Sequence, residues 1–185
     1  MKRSIAVLEG DGIGPEIMRE AIKVLKTIEN KYGHSFELIY TPFGASAYFT
    51  DGSPFPEKTK HICDQVDFIV KGPVGLAVTE MHKIPQEHRP EHAALLPLRQ
   101  RYDTFANLRP VRLPAALKSF SPLKDEIIGE GIDILMIREL VGGIYFGDKV
   151  EGTATEMKFA RDDCIYKAED VRRVAIVAFD EARKR

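Results

Sequence analysis

Three arginines in the second half of the chain have the side-chain chemistry needed to hold an organic acid. Arg99 and Arg109 lie ten residues apart, and Arg138 directly follows the apolar run 134–137. A guanidinium group is planar and permanently charged, and it matches a carboxylate with two parallel hydrogen bonds. We therefore expect the three arginines to converge on a substrate with two carboxylates. Each arginine alone would be typical of a solvated surface charge.

Tyr145 stands in the segment 142–147, which reads Gly-Gly-Ile-Tyr-Phe-Gly. A phenol hydroxyl in a suitable site can donate a proton to a reacting carbon. Glycines on both sides allow a substrate and the backbone to approach closely. The sequence therefore indicates a proton donor, with a tyrosine packed in the core as the alternative.

The segment 10–16, Gly-Asp-Gly-Ile-Gly-Pro-Glu, joins an apolar run to a helical pattern. A strand–turn–helix of this kind can present backbone N–H groups and the helix dipole to an anion. Pro15 stands where the dinucleotide fingerprint G-x-G-x-x-G requires its last glycine, so this segment does not match it. A tight turn without a ligand is equally consistent with the residues.

The elements that must position these residues alternate in the first half of the chain. We predict strands at 4–8, 36–40 and 67–70, with a helix starting at Pro15 and another at 56–64. This order is typical of an α/β fold in which helices pack on a parallel sheet. Such sheets bind ligands at the carboxyl ends of their strands, where the glycine-rich segments 10–14 and 72–75 lie.

The second half is predicted to contain a helix at 95–102 and strands at 104–108 and 132–138. A loop is expected at 111–124, a further strand from 144, and a hairpin or arm over 153–165. The final helix, 168–184, carries several small residues on its apolar stripe. It is expected to pack on the chain's own sheet, with contact to a second subunit as the alternative.

The overall charge narrows the class of partner. The 27 basic and 28 acidic residues give a formal net charge of -1, so no broad positive field exists to attract nucleic acid. No apolar run approaches the ~20 residues that span a bilayer. We predict a cytoplasmic protein with no membrane or nucleic-acid partner, whose two cysteines are reduced thiols.

Taken together, the motifs resemble those of the isopropylmalate/isocitrate dehydrogenase family. The similarity runs from segment 10–16 through Pro-Phe-Pro at 54–56 and Phe-Ala-Asn-Leu-Arg-Pro at 105–110. It continues through Ser-Pro-Leu-Lys at 121–124 and ends with 137–147. Within the family, Gly-Gly-Ile-Tyr-Phe-Gly resembles the isopropylmalate branch.

The resemblance implies NAD-dependent oxidative decarboxylation of a 2-hydroxy dicarboxylic acid, with 3-isopropylmalate of leucine biosynthesis favoured. It implies that Tyr145 protonates the enolate carbon and that the substrate carboxylates are bound by Arg99, Arg109 and Arg138. It also implies that Leu95 and Leu96 receive the apolar substituent. The nicotinamide side of the cofactor site would be lined by Ile13, Gly72, Pro73 and Glu91.

For the architecture, the resemblance implies the N-terminal portion of a two-domain α/β subunit that forms a homodimer. Residues 1–104 would begin the cofactor-binding domain and 105–185 the substrate and dimerisation domain. No metal ligand is assigned within the chain, since the ligands of Mg²⁺ or Mn²⁺ and the catalytic lysine are expected beyond residue 185. We therefore predict that residues 1–185 alone neither bind metal nor turn over.

Other functions stay open at this point. Isocitrate, homoisocitrate, tartrate and D-malate are alternative substrates within the same class. A non-catalytic chain that dimerises through the helix 168–184 belongs to a different class. A phosphate-binding module that uses only the first glycine turn would leave the arginines and Tyr145 unexplained.

Overall fold

A computed structural model describes residues 1–150 and 159–185. They form two compact units, Met1–Leu98 and Arg99–Arg185. The division falls inside the helix Leu96–Arg101 and not after residue 104. The assignment of 1–104 to cofactor binding and of 105–185 to substrate binding with dimerisation stays a prediction.

The first unit is built on a three-stranded parallel sheet. Strands β1 (Lys2–Leu8), β2 (Ser35–Tyr40) and β3 (Phe68–Lys71) lie in the order β2-β1-β3. Both β2 and β3 run parallel to β1, as the alternating pattern predicts. The central strand is the core of the unit, because its residues from Ile5 to Leu8 are at most 4% exposed.

Helices connect these strands, as a parallel sheet requires. Helix α1 (Gly14–Tyr32) has Pro15 in its first turn and ends at Gly33, whose φ of 65° is the left-handed conformation typical of a helix C-terminus. Helices α2 (Ala45–Asp51) and α3 (Glu57–Gln65) lie between β2 and β3. The predicted helix at 56–64 is therefore confirmed within one residue at each end.

The second unit has a two-stranded antiparallel sheet of β4 (Ala106–Leu113) and β5 (Ile132–Glu139). Helix α4 (Leu96–Arg101) precedes it, and helix α5 (Asp125–Ile128) lies between its strands. Strands β6 (Lys149–Val150) and β7 (Arg161–Asp162) form a second antiparallel pair. Helix α6 (Ala168–Arg183) contacts β5. The apolar stripe predicted on this helix is only partly covered, since Phe179 is 71% exposed.

The predicted loop at 111–124 is wrong in its first part. Strand β4 continues to Leu113, which pairs with Ile132, even though Pro110 lies in its middle. Proline removes one backbone donor, and a strand with a single paired neighbour can place that missing donor on its open side. A 3₁₀ turn, Ala115–Phe120, then leads towards α5.

The strand predicted from Ile144 is also wrong. Residues Gly143–Tyr145 form a 3₁₀ turn, and Gly143 has a φ of 75°. This left-handed conformation ends the extended backbone before Tyr145 is reached. Of the predicted hairpin or arm at 153–165, residues 153–158 lie outside the described residues.

A hydroxyl pair fixes the segment after β2 to helix α3 in the core of the first unit. Thr59 is 0% exposed, and its Oγ1 donates to the carbonyl oxygen of Pro42 at 2.7 Å. Its oxygen lies 2.9 Å from Thr41 Oγ1, from which it can accept. Nearby, the rings of Phe43 and Phe55 meet edge to face with centroids 5.3 Å apart. Polar and apolar contacts therefore hold the same segment.

We predict that Thr59→Val lowers the free energy of unfolding by about 1–3 kcal/mol, because it leaves the partly buried Pro42 carbonyl without its donor. Urea denaturation measures the change. The control is Thr79→Val at an exposed position, which should change the free energy of unfolding by less than about 0.5 kcal/mol. Equal effects of the two substitutions would contradict the assigned role of the Thr59 hydroxyl.

Candidate active site

The structure brings the three predicted arginines together within the second unit. In the β4–β5 ladder Arg138 lies opposite Asn107, and Arg109 follows Asn107 by two residues, so both guanidinium groups project from one face of the sheet. Burial lowers the pKa of Arg99, on α4, and the positive charges of Arg138 and Arg109 lower it further. The positive charges of Arg109 and Arg138 therefore act on Arg99 within the second unit.

Tyr145 belongs to the same cluster. The Arg138 Cζ atom lies 5.8 Å from the centroid of the Tyr145 ring, within the range of a cation–π contact. Arg109 is oriented by its neighbour, since its Nε donates to Asn107 Oδ1 at 2.7 Å. The tyrosine is 49% exposed, so its hydroxyl is not closed off in a core. The alternative of a buried structural tyrosine is therefore wrong for Tyr145.

The charge balance of this cluster favours an anionic ligand. Within residues 1–150 and 159–185, the charged groups that shift the pKa of Arg99 are Arg138, Arg109 and Tyr145, with no carboxylate among them. Like charges held close together are unfavourable until an anion compensates them. A cleft of about 650 Å³ beside Arg138 and Tyr145 is also lined by Tyr166 and Val174, whereas Arg99 and Arg109 do not line it.

In the first unit, a buried carboxylate joins the loops that carry the predicted cofactor residues. Asp11 is 7% exposed, and its two oxygens accept backbone N–H bonds from Ala45 at 2.7 Å, Ser46 at 2.8 Å and Gly75 at 2.8 Å. Its own N–H donates to the Pro73 carbonyl at 2.8 Å. Asp11 thereby links the turn after β1, the start of α2 and the loop after β3.

Glycines allow these loops to approach one another. A Cβ on Gly10, which has a φ of 76°, would collide with the carbonyl oxygen of Pro73. A Cβ on Gly72 would collide with the carbonyl oxygen of Glu9, and one on Gly75 with the carboxylate of Glu91. The segments that carry the four predicted cofactor residues are thus in mutual contact, with Ile13 61% exposed beside them.

Several N–H groups of the first glycine turn and the start of α1 are engaged within the first unit. The Gly14 N–H donates to the Asp11 carbonyl, and those of Glu16 and Ile17 donate to the Ile13 carbonyl. Pro15 has no N–H. Because these N–H groups are already engaged, the start of α1 serves as a tight connection. A phosphate-binding module that uses the first glycine turn stays a prediction.

The remaining predicted substrate residues are Leu95 and Leu96. They are half-buried at the junction between the single π-helical turn Glu91–Leu95 and helix α4. Both belong to the first compact unit. Their part in substrate choice stays a prediction.

Two acidic residues have structural roles that the sequence motifs do not predict. Asp11 lies within a glycine cluster, and Glu139 lies within the motif 137–147. Glu139 accepts backbone N–H bonds from Val141 at 2.9 Å and Gly142 at 3.0 Å. An acidic residue near glycines at the end of a strand is the available signal, because loop N–H groups that are shielded from water need an acceptor.

Among the residues that the structure describes, no group of three or more His, Cys, Asp or Glu side chains is placed to hold a metal ion. None of the helices in the described ranges combines the length and apolar character needed to span a bilayer.

The chain combines a parallel α/β unit with an arginine–tyrosine cluster in its second unit. Comparison with known proteins identifies the family. Residues 4–185 match the family described as isocitrate/isopropylmalate dehydrogenase, and the chain belongs to it. The predictions of this family and of an α/β fold are confirmed.

Individual relatives support the same family assignment. The chain is 45% identical to a 3-isopropylmalate dehydrogenase of Vibrio parahaemolyticus and 47% identical to one of Syntrophotalea carbinolica. Both matches cover 98% of this chain, but only 50% and 49% of the relatives. The crystal structure of isocitrate dehydrogenase from Methylococcus capsulatus shares the fold with a TM-score of 0.75, at 23% identity over 98% of this chain and 48% of that one. The chain thus spans about half the length of the curated relatives it matches.

We predict that Asp11→Asn lowers the free energy of unfolding by about 1–3 kcal/mol, because the amide NH₂ would face a backbone N–H that has lost its acceptor. Urea denaturation measures the loss, and faster hydrogen exchange at the Ser46 or the Gly75 amide, whichever faces the NH₂ group, locates it. Asp148→Asn, at an exposed aspartate, is the matched control and should leave these quantities unchanged. If neither amide exchanges faster in Asp11→Asn than in the control, the carboxylate does not hold these segments.

Proposed function

We propose that this chain takes part in the NAD-dependent oxidative decarboxylation of a 2-hydroxy dicarboxylic acid. The favoured substrate is 3-isopropylmalate, the leucine-biosynthesis compound named by the 45–47% identical relatives. The observation that carries the proposal is the grouping of Arg99, Arg109 and Arg138 beside Tyr145. Three guanidinium groups suit an acid with two carboxylates, and a phenol can protonate the carbon that loses carbon dioxide.

The roles of these residues follow from their chemistry. The guanidinium groups bind the substrate carboxylates and hold the molecule in one orientation. Tyr145 gives its hydroxyl proton to the carbon that has lost carbon dioxide, so that an O–H bond breaks as a C–H bond forms. Arg138, beside the ring, stabilises the negative charge that this transfer leaves on the phenol oxygen.

The first unit provides residues that fit a nicotinamide cofactor. When bound, NAD supplies the acceptor for the hydride that leaves the hydroxyl carbon. Gly72 has no side chain, and this lets the loop after β3 pack directly against the Glu9 carbonyl at the turn after β1. Ile13 and Pro73 offer exposed apolar surface, and Glu91 reaches the neighbouring Gly75. We propose these four as the nicotinamide-side residues.

Unlike the nicotinamide-side residues, the ligands of the divalent metal ion are not assigned to this chain. The described residues hold no group of three or more metal-binding side chains, so they do not by themselves form a site for Mg²⁺ or Mn²⁺. We propose that the ligands of this ion lie outside the 185 residues, and no part of the mechanism described above depends on them. For the same reason we expect no turnover by the 185-residue chain alone.

Substrate choice within the class would be made by an apolar contact. Leu95 and Leu96 are half-buried, and their side chains suit a branched aliphatic substituent better than a third carboxylate. This favours isopropylmalate over isocitrate or homoisocitrate, and also over tartrate or D-malate, which offer no such group. We further propose a cytoplasmic homodimer.

A second candidate function is a non-catalytic chain that pairs with a longer partner. It is favoured by the exposed apolar side chains of helix α6, where Val171 and Ile176 are each 52% exposed. Such a chain would have no need of the arginine cluster, which is why the enzymatic function is preferred.

Absorbance of NADH tests the proposal. The 185-residue chain and any longer protein that contains it are mixed with NAD, Mg²⁺ and each candidate acid in turn. We expect the short chain to be silent and the longer protein to turn over isopropylmalate with the highest kcat/KM. Turnover by the 185-residue chain would contradict the proposal that the metal ligands lie outside it. A preference for isocitrate would overturn the proposed role of Leu95 and Leu96 in substrate choice.

We predict that Tyr145→Phe lowers kcat of the catalytically competent protein by about 10²-fold or more, because the proton donor is lost while the ring remains. The substrate KM should change little, since the arginines are intact. The control is Tyr32→Phe, at a tyrosine that is 61% exposed on helix α1, and it should leave kcat unaltered. An unchanged kcat in Tyr145→Phe would rule out this tyrosine as the acid.

A further inference from the structure

Glu139, the last residue of β5, turns its carboxylate back onto the loop that follows it. Oε1 accepts the N–H of Val141 at 2.9 Å, and Oε2 accepts the N–H of Gly142 at 3.0 Å. The side chain is half-buried. Hydrogen bonds to an ionised acceptor are among the stronger ones in proteins. The carboxylate therefore fixes the direction in which the chain leaves the strand.

The opposite side of this loop is held by the segment 163–166. The N–H of Gly143 donates to the Ile165 carbonyl at 2.9 Å. A Cβ on Gly142 would lie 3.2 Å from the Tyr166 ring and 3.3 Å from Glu139 Oε2. Gly142 thus lies between the carboxylate and an aromatic ring, and the loop has little room to shift.

From this geometry we propose that Glu139 is a positioning residue for Tyr145. Glu139 directly follows Arg138, and the loop it holds leads into the 3₁₀ turn Gly143–Tyr145. Its two hydrogen bonds therefore set the spacing between the guanidinium of Arg138 and the ring of Tyr145, which lie 5.8 Å apart. This inference rests on the proposed function of Tyr145 as the proton donor.

A purely structural role would tie Glu139 to the nearby Arg173. The pKa of Arg173 is raised chiefly by its hydrogen bond with Asp103, then by the charges of Asp103 and Asp170, and least by Glu139. Asp170 also bonds Arg173 directly, at 3.2 Å. Because two other carboxylates already pair with Arg173, the main partners of Glu139 are the loop N–H groups.

The test is a double-mutant cycle in the catalytically competent protein. Glu139→Gln keeps the shape of the side chain but turns an NH₂ group towards one of the two backbone N–H groups. We expect it to lower kcat about tenfold in the wild-type background and by less than about twofold in the Tyr145→Phe background. Glu130→Gln, at an exposed glutamate before β5, is the control and should leave kcat unchanged in both.

A loss of kcat that is equal in the two backgrounds overturns the proposal, because Glu139 would then act independently of Tyr145. So does an unchanged kcat in Glu139→Gln. Full activity of Tyr145→Phe would instead refute the proposed function of the tyrosine. The position of the ring is then judged by a second measurement that does not depend on activity.

This second measurement is the NMR signal of isotope-labelled tyrosine, with the Tyr145 resonance assigned by its loss in Tyr145→Phe. Glu139→Gln should shift that resonance, and Glu130→Gln should not. Gly142→Ala is the milder probe if Glu139→Gln does not fold, because its methyl group would press on both Glu139 and Tyr166. A Tyr145 resonance that stays in place in the folded variant overturns the proposal.

Discussion

The carboxylate of Asp11 accepts three backbone N–H bonds from two stretches of chain that follow β2 and β3, and the geometry of the first unit depends on them. Burying a carboxylate is unfavourable unless its hydrogen-bonding capacity is satisfied. Here both oxygens are engaged, so the cost of burial is offset by donors that would otherwise lack an acceptor. The loops at the carboxyl edge of the sheet are therefore fixed before any ligand arrives.

Glu139 applies the same principle in the second unit. Each carboxylate accepts N–H groups from a glycine-containing loop at the end of a strand, and each loop leads to residues with a proposed function. Glycine permits the close approach, and the acid supplies the fixed acceptor. Preorganisation of this kind limits the reorganisation that a bound substrate must bring about.

In the arginine cluster, by contrast, the charges are not compensated by groups that act on Arg99 in the described part of the chain. Arg99, Arg109 and Arg138 are held by the sheet and by helix α4 in positions where their charges repel one another. The β4–β5 pairing provides much of the rigidity that keeps them there. Since the described part of the chain places no carboxylate among the groups that act on Arg99, a dianionic substrate would relieve the repulsion as it binds.

The family, the parallel α/β order of the first unit and the residue types of the candidate site are all predictable from the amino-acid sequence. Alternating strand and helix patterns and the glycine motifs are local signals, and they place β1, the start of α1 and α3 within about two residues. The continuation of β4 through Pro110 to Leu113 depends on its pairing with β5, which overrides the local preference of proline. That Asp11 and Glu139 organise the loops also depends on the tertiary structure. A hydrogen bond between residues 64 positions apart, such as that from Gly75 to Asp11, leaves no periodic trace in the chain.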